Sequence, residues 1–406
     1  MSKKLTIAII GCGNFSRRFV NLFKNHPDAE KVYVCDLIEE KAKAFSEKFG
    51  VDIIPTYEDV LADESINCVA NFTQRHLHGD IVIRALKAGK HVYSAVPMAS
   101  TVEECQEIVR LVKETKLTYV IGETCYYFPC AMFCREAYKE GKFGNFSYGA
   151  AQYYHHIDRI SYGSRPAERG MPPLYYPTHS TAMMISAVDS YATKVVGFGC
   201  ADTTGDPAFT KEGNEWGNEH LNQYFMMTLA NGGTARITEA RGFGYGSPSS
   251  YISAIYGTKG AYEFSNAQHL LYERIPTPKE KKKEKIILTD VSDYVNPRDM
   301  VENKNDPEFK SKVANGEWQN SYFAEVQNEE SKRLPAEFKG LENGHMASHQ
   351  FLIDDFFKAV CENKIPALNA WFAARSNIPG LVAIESAKRG SIPLDVPDCG
   401  DAPEHW

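Results

Sequence analysis

The run Tyr175-Tyr-Pro-Thr-His179 places phenols and an imidazole at the head of an apolar stretch (Ala182, Met183, Ile185). Imidazole titrates near neutral pH, and a phenol near ~10 unless its surroundings lower that value. Tyr176 and His179 are therefore candidate proton carriers for general acid–base chemistry. Glu123, in Gly122-Glu-Thr124, and His156, in Tyr153-Tyr154-His155-His156, add further ionisable groups, as does His345. Adjacent residues of a strand face opposite ways, so at most one of His155 and His156 points to a given face. Duller roles stay open: aromatic filling by Tyr175 and Tyr176, an N-cap by Thr178, a satisfied core histidine at 179. A metal centre built from Glu123, His155, His156, Asp158 and His179 lacks any short ligand spacing, and none is expected. Cys125, Cys130 and Cys134 read as packing on a helix rather than as iron–sulfur ligands.

A second constellation could hold a phosphate. Gly11-Cys-Gly13-Asn14-Phe15-Ser16 follows an apolar strand, Leu5–Ile10, and opens an amphipathic stretch. The first glycine permits a tight turn and the second lets a pyrophosphate approach the backbone. Ser16, at the third position, is small enough for helix–strand packing. Asp36 ends the next strand, roughly 20 residues on, where a carboxylate accepts ribose hydroxyls and repels a 2′-phosphate. The cofactor expected is NAD, with NADP disfavoured by Asp36.

These side chains need a scaffold that alternates strands and helices. Apolar runs at Leu5–Ile10, Lys31–Cys35, Val51–Pro55, Asn67–Phe72, His91–Val96 and Leu117–Gly122 are separated by helical periodicity, as at Ser16–Lys24 and Val102–Glu114. Such a pattern predicts a doubly wound parallel sheet over residues 1–124. From 125 to 406 the pattern changes to period-two strands, with a hairpin at Asn231-Gly-Gly233 and another about Gly257-Thr-Lys-Gly260. This predicts an α/β domain with a large, mostly antiparallel, open-faced sheet for substrate and oligomer contacts. Residues 277–343, charged and weakly periodic, read as an irregular insertion, and the Lys279–Lys285 run as a solvated loop tip. Helices are expected at His349–Cys361 and near Ala373–Lys388.

The chain has 406 residues, 45 Lys+Arg against 52 Asp+Glu, and a net charge of −7. That balance argues against a nucleic-acid partner, which needs concentrated positive charge. No apolar run approaches the ~20 residues that cross a bilayer, and the N-terminus enters a strand rather than an export signal. The ten cysteines, without repeated spacing, then read as reduced thiols of a cytoplasmic protein.

The sequence resembles the Gfo/Idh/MocA oxidoreductases. The likeness rests on Thr73-Gln74-Arg-His-Leu-His78, Ala85-Leu-Lys-Ala-Gly-Lys-His91-Val, the Pro97 turn and Gly257-Thr-Lys-Gly260. The resemblance implies that Thr73, Gln74, His78, Val96 and Pro97 lie along the cofactor. Two departures stand out. The family's Glu-Lys-Pro turn, whose lysine handles the hydroxyl proton, here reads Ala95-Val96-Pro97. The usual Asp four residues before a His is replaced by Tyr175. The Tyr-Pro-Thr-His run, the Val-Pro turn and Glu123 are similar to a branch that includes NAD-dependent glycoside hydrolases. The run Gly344-His345-Met-Ala-Ser-His349 is similar to the same branch, and the resemblance implies proton transfer by Tyr176 and His179, positioning or leaving-group work by Glu123 and His156, and substrate contact by Tyr154, His155 and His345.

The resemblance implies hydride transfer between a nicotinamide and a ring secondary alcohol, at carbon 3, of a sugar or glycoside. The alternative is a redox-neutral glycosidase working by transient oxidation, elimination and water addition. A third reading is a non-catalytic NAD-dependent regulator. A homodimer or homotetramer is expected from the open sheet.

Overall fold

The apolar runs of the first 123 residues come together as one parallel sheet in the computed structural model, which describes residues 4–155, 168–203, 205–242, 249–264, 268–275, 285–314 and 322–406. Its strands are β1 (Leu5–Ile10), β2 (Ala29–Cys35), β3 (Asp52–Ile53), β4 (Cys68–Asn71), β5 (His91–Ser94) and β6 (Tyr119–Ile121). Their order, β3-β2-β1-β4-β5-β6, reverses direction at β1. The carboxyl ends of β1 and β4 therefore border a crevice, the usual place for a ligand in such a sheet. The helices α1 (Val20–Asn25), α2 (Glu39–Phe49), α3 (Tyr57–Ala62), α4 (His78–Lys87) and α5 (Val102–Thr115) connect the strands.

Two local boundaries differ from the sequence pattern. The predicted helix Ser16–Lys24 is split into a single 3-10 turn, Ser16–Arg18, and α1. The β3 strand keeps only Asp52–Ile53, both residues exposed at the sheet edge, with no burial to extend it.

The second sheet has nine strands: β7 (Phe146–Tyr154), β8 (Ala192–Ala201), β9 (His220–Leu229), β10 (Thr234–Ala240), β11 (Ser249–Gly257), β12 (Gly260–Phe264), β13 (His269–Ile275), β14 (Lys285–Asp290) and β15 (Leu394–Asp395). All its pairings are antiparallel except that of β10 with β7. Both predicted hairpins form, β9–β10 and β11–β12.

The predicted irregular insertion is more ordered than its composition suggested. Lys285–Asp290 is the edge strand β14, and Arg298–Asn303 and Pro307–Ala314 are helices. Ile286 and Leu288 stay 54% and 57% exposed, so backbone pairing with β13, not burial, carries the strand. Such a strand leaves little hydrophobic periodicity to read. Most of the Lys279–Lys285 run lies outside the described residues.

Helices α6 (Pro129–Lys139), α7 (Thr178–Ala187), α8 (His349–Glu362) and α9 (Ala370–Lys388) tie the sheets together. From α8, Phe356 packs against Phe23 of α1 and Tyr93 of β5, at ring separations of 6.5 and 6.0 Å. From α9, Asn377 Oδ1 accepts the Met98 N–H at 2.8 Å and so holds the turn that contains Val96 and Pro97. No helix among the described residues is long and apolar enough to cross a membrane.

Candidate active site

The glycine loop has the shape a dinucleotide requires. Gly11 sits at φ +98°, and a Cβ there would lie 2.7 Å from the Phe72 carbonyl oxygen. That conformation and that closeness both exclude an ordinary side chain. A Cβ on Gly13 would meet nothing within 4 Å, so the loop leaves open space where a pyrophosphate would lie against the backbone. Ser16 is buried and its hydroxyl donates to the Gly13 carbonyl at 3.0 Å, bracing the turn. Asn14 is exposed at the loop tip, while Phe15 packs against Phe19 and Phe72. Asp36 accepts the Cys12 and Ile38 N–H groups at 2.7 and 2.8 Å, which fixes its carboxylate beside the loop.

The loops after β4 and β5 form the next wall. Thr73 donates its hydroxyl to Asn71 Oδ1 at 2.7 Å, and Gln74 is exposed. His78 is buried between two carbonyls, Pro97 O at 2.7 Å and Thr73 O at 3.1 Å. Burial holds its imidazole below the ordinary value, so one ring nitrogen donates to a carbonyl while the other lies against the second. His78 thus braces Thr73 against the Pro97 turn from beneath. Val96 and Pro97 are buried with it.

At the end of β6 the proton carriers meet. Glu123 caps the short turn Thr124–Tyr127, its Oε1 accepting the Cys125 N–H at 2.9 Å. The same oxygen accepts the His179 Nδ1–H at 2.6 Å, and His179 Nε2 stands 3.0 Å from the Tyr176 hydroxyl. All three side chains are buried. Burial alone would raise the Glu123 carboxyl, but His179 and the hydrogen bonds to it hold the carboxyl below its usual value. An ionised carboxylate only accepts, so His179 donates from Nδ1, and Nε2 is the nitrogen that faces Tyr176. Burial pushes the Tyr176 phenol well above its ordinary value, with Arg75 and Arg241 pulling the other way. With its proton held in this way, the phenol can donate it toward His179 Nε2.

The histidines of β7 divide differently. His156 lies outside the described residues. The His155 Nδ1 stands 2.7 Å from the Tyr153 hydroxyl, and the Tyr153 ring lies 4.8 Å from His179 and 5.9 Å from Tyr176. Tyr154 packs instead on Tyr251, at 6.1 Å. Alternation along β7 turns Tyr153 toward the relay and Tyr154 to the other face, beside Tyr251. His345 is placed beside the cofactor loop, 5.6 Å from Phe15 and hydrogen-bonded to His349 at 2.8 Å. Burial pushes its imidazole down to about 3, so it stays neutral. Thr178 is the first helical residue of α7 and makes no capping bond, contrary to its expected N-cap role; Pro177 occupies that position.

Donor atoms of Glu123, Cys125 and His179 lie within 4.8 Å of one another. Burial pushes the Cys125 thiol well above its usual value, which makes it a poor ligand. Cys130 and Cys134 are buried on α6, as packing requires.

Sequence reading missed four charged residues here. Arg75 lies over the Tyr176 ring at 4.2 Å and pairs with Glu168 at 3.0 Å. Arg241 lies 5.0 Å from the Tyr153 ring and contacts Glu239 at 3.4 Å. Glu239 is fully buried and also accepts the Ser180 hydroxyl. Burial pushes its carboxyl from 4.5 up to about 8 despite Arg241. The unfolded chain would release that proton above 4.5 and the folded chain only near 8, so this group costs stability as pH rises between the two. Glu239→Gln should remove that cost: comparing thermal melts, the variant should gain on the wild type between pH 5 and pH 8.

Residues 5–123 match the profile of the oxidoreductase family with an NAD-binding Rossmann fold. The matched span runs from the start of β1 to just past β6. It is 30% identical over 203 residues to glycosyl hydrolase family 109 protein 3 of Phocaeicola vulgatus, covering 47% of this chain and 36% of that one. It is 25% identical over 285 residues to a glycosyl hydrolase family 109 protein of Streptomyces filamentosus, covering 63% and 58%. The chain thus spans less than two thirds of either relative. A levoglucosan dehydrogenase, solved with NADH and levoglucosan, superposes with a TM-score of 0.68 at 17% identity, over 97% of this chain and all of that one. This likeness shows a shared two-sheet fold along the whole length.

Proposed function

We propose that the protein binds NAD and moves hydride between the nicotinamide and a ring secondary alcohol, at carbon 3, of a sugar or glycoside. The observation that carries this reading is the buried relay from Tyr176 through His179 to Glu123, set at the end of β6 beside the cofactor wall. Gly11, Gly13 and Ser16 would seat the pyrophosphate, and Asp36 the adenosine ribose, which favours NAD over NADP. When bound, the nicotinamide accepts hydride from the ring carbon. The chain then has to accept the hydroxyl proton. Tyr176 would pass that proton to Nε2 of His179, and Glu123 would stabilise the imidazolium so formed. Val96 cannot do this, and the relay stands in for the absent lysine.

The redox-neutral glycosidase is the second reading. It is favoured by Tyr176, whose ring lies 4.2 Å from the Arg75 guanidinium and 5.9 Å from that of Arg241. The two cations act against the burial that raises this phenol, and would steady a phenolate formed transiently to remove a proton next to a ketone. The names of the glycosyl hydrolase relatives agree with it.

Incubation with NAD⁺ and aryl glycosides separates the readings. Net NADH without aglycone release marks the dehydrogenase, and aglycone release without net NADH marks the glycosidase. Neither signal across a wide panel marks the regulator and removes the proposal. Tyr176→Phe should keep NAD⁺ affinity and lower turnover by about 10²-fold, the usual scale for a lost proton-transfer group. Equilibrium NAD⁺ titration beside steady-state rates checks both halves. A homo-oligomer would cover the open sheet face, where Phe198, Tyr224, Met226 and Tyr256 stand exposed.

A further inference from the structure

A cavity of about 560 Å³ lies apart from the relay, and none of Tyr176, His179 and Glu123 lines it. Its size is that of a small-molecule site. Part of its wall is Tyr126, in the turn that Glu123 caps. Ile185, Ser186 and Ala187 add the last turn of α7, the helix whose first turn holds His179. The start of α9 and the C-terminal segment complete it, the latter through Asp401 and Ala402.

Half-buried rings and charges of both signs share this wall. The Arg135 guanidinium lies over the Tyr126 ring at 4.1 Å and donates to the Tyr126 carbonyl at 3.2 Å. Arg375 lies over Tyr191 at 3.9 Å, and Asp398 and Asp401 accept from it at 2.8–2.9 Å. Tyr138 and Phe372, both half-buried, line the same space. The charges on the wall, with Asp398 bonded to it, are Arg135, Lys139 and Arg375 against Asp189, Asp398 and Asp401, so they balance. Glu136, the next residue of α6, is exposed and outside the wall. Arg375 is answered by its two aspartates. Arg135, Lys139 and Asp189 make no ion pair among the described residues.

An anion bound here would leave Asp189 unanswered, and a cation would leave Arg135 and Lys139. A hydroxyl donates and accepts, so it can serve a carboxylate and a guanidinium at once. A sugar ring carries several hydroxyls around a C–H face, and that face packs on aromatic rings. We propose that this cavity is a second saccharide site, taking a neutral mono- or disaccharide. Tyr138 and Phe372 take the ring face, and Arg135 and Asp189 take its hydroxyls. The site stands on its own cavity and does not depend on the hydride-transfer reading.

Methyl NMR of the full chain, labelled at its isoleucine δ1-methyl groups, reads the cavity through Ile185. D-Glucose, D-galactose, N-acetyl-D-glucosamine, maltose and cellobiose are titrated beside benzoate, phosphate and a linear diamine. At least one sugar should shift the Ile185 signal saturably and bind ~10-fold or more tightly than each of the three controls. Tyr138→Ala should weaken that sugar by about 10-fold through the lost ring. Asp189→Asn should weaken it by about 5–10-fold, the difference between a charged and a neutral hydrogen bond. Asp189 sits at φ +45°, a conformation that asparagine shares readily, so this variant serves even where Tyr138→Ala fails to fold. Tyr176→Phe should leave the titration unchanged. No Ile185 shift from any sugar at millimolar concentration would overturn the proposal. So would tighter binding of a control than of every sugar, or an affinity unchanged in both cavity variants. A titration abolished by Tyr176→Phe would place the sugar at the relay and overturn it as well.

Discussion

His179→Gln should lower turnover by about 10²–10⁴-fold while NAD⁺ affinity stays within a few-fold of wild type. Glutamine can still donate an N–H to Glu123, so the buried carboxylate keeps a partner and the fold is spared. It cannot take a proton at the position of Nε2, which faces Tyr176 at 3.0 Å. The loss should fall on kcat, since the interaction matters when the hydroxyl proton leaves. Equilibrium titration with NAD⁺ and single-turnover rates together check the separation. A variant that loses NAD⁺ binding to the same degree would make His179 a packing residue.

Gly11→Ala should weaken NAD⁺ binding by about 100-fold and lower the melting temperature as well. The residue sits at φ +98°, and an added Cβ would face backbone at 2.7, 2.9 and 3.1 Å, from Phe72 to Thr73. Backbone has no rotamer by which to yield, and a non-glycine residue in this region costs ~1–3 kcal/mol before any clash. Gly13→Ala offers the contrast, because its Cβ would enter open space. That variant should melt like the wild type and lose affinity only through contact with the dinucleotide. Melting curves with and without NAD⁺ check both.

The first sheet was legible because buried parallel strands are continuous apolar runs, as in Leu5–Ile10, and because glycines and Asp36 mark their ends. The relay was half legible. Tyr176 and His179 share one short run, and Glu123 follows a strand, but sequence offers no measure of the 2.6 Å that joins two residues so far apart in the chain. That Tyr153 is the β7 residue beside the relay was not legible, because the strand's phase is fixed by burial under α7, which alternation alone does not supply. Arg75, Arg241, Glu168 and Glu239 were illegible for a plainer reason. Arginine and glutamate are ordinarily surface residues, and only the fold shows that Glu168, Glu239 and Arg241 are buried, with Arg75 half-buried beside Glu168. The edge strand β14 escaped notice because its apolar side chains stay exposed.

Transfer of a labelled hydride tests the central claim most directly. p-Nitrophenyl glycosides of glucose and glucuronic acid, deuterated at ring carbon 3, would be mixed with stoichiometric NAD⁺-loaded protein, quenched within one turnover, and the dinucleotide weighed by mass spectrometry. Reduced dinucleotide carrying one deuterium is the expected result, whether or not the hydride is later returned. Reduced dinucleotide without label would place the oxidation at another carbon, and no reduced dinucleotide at all would contradict the account.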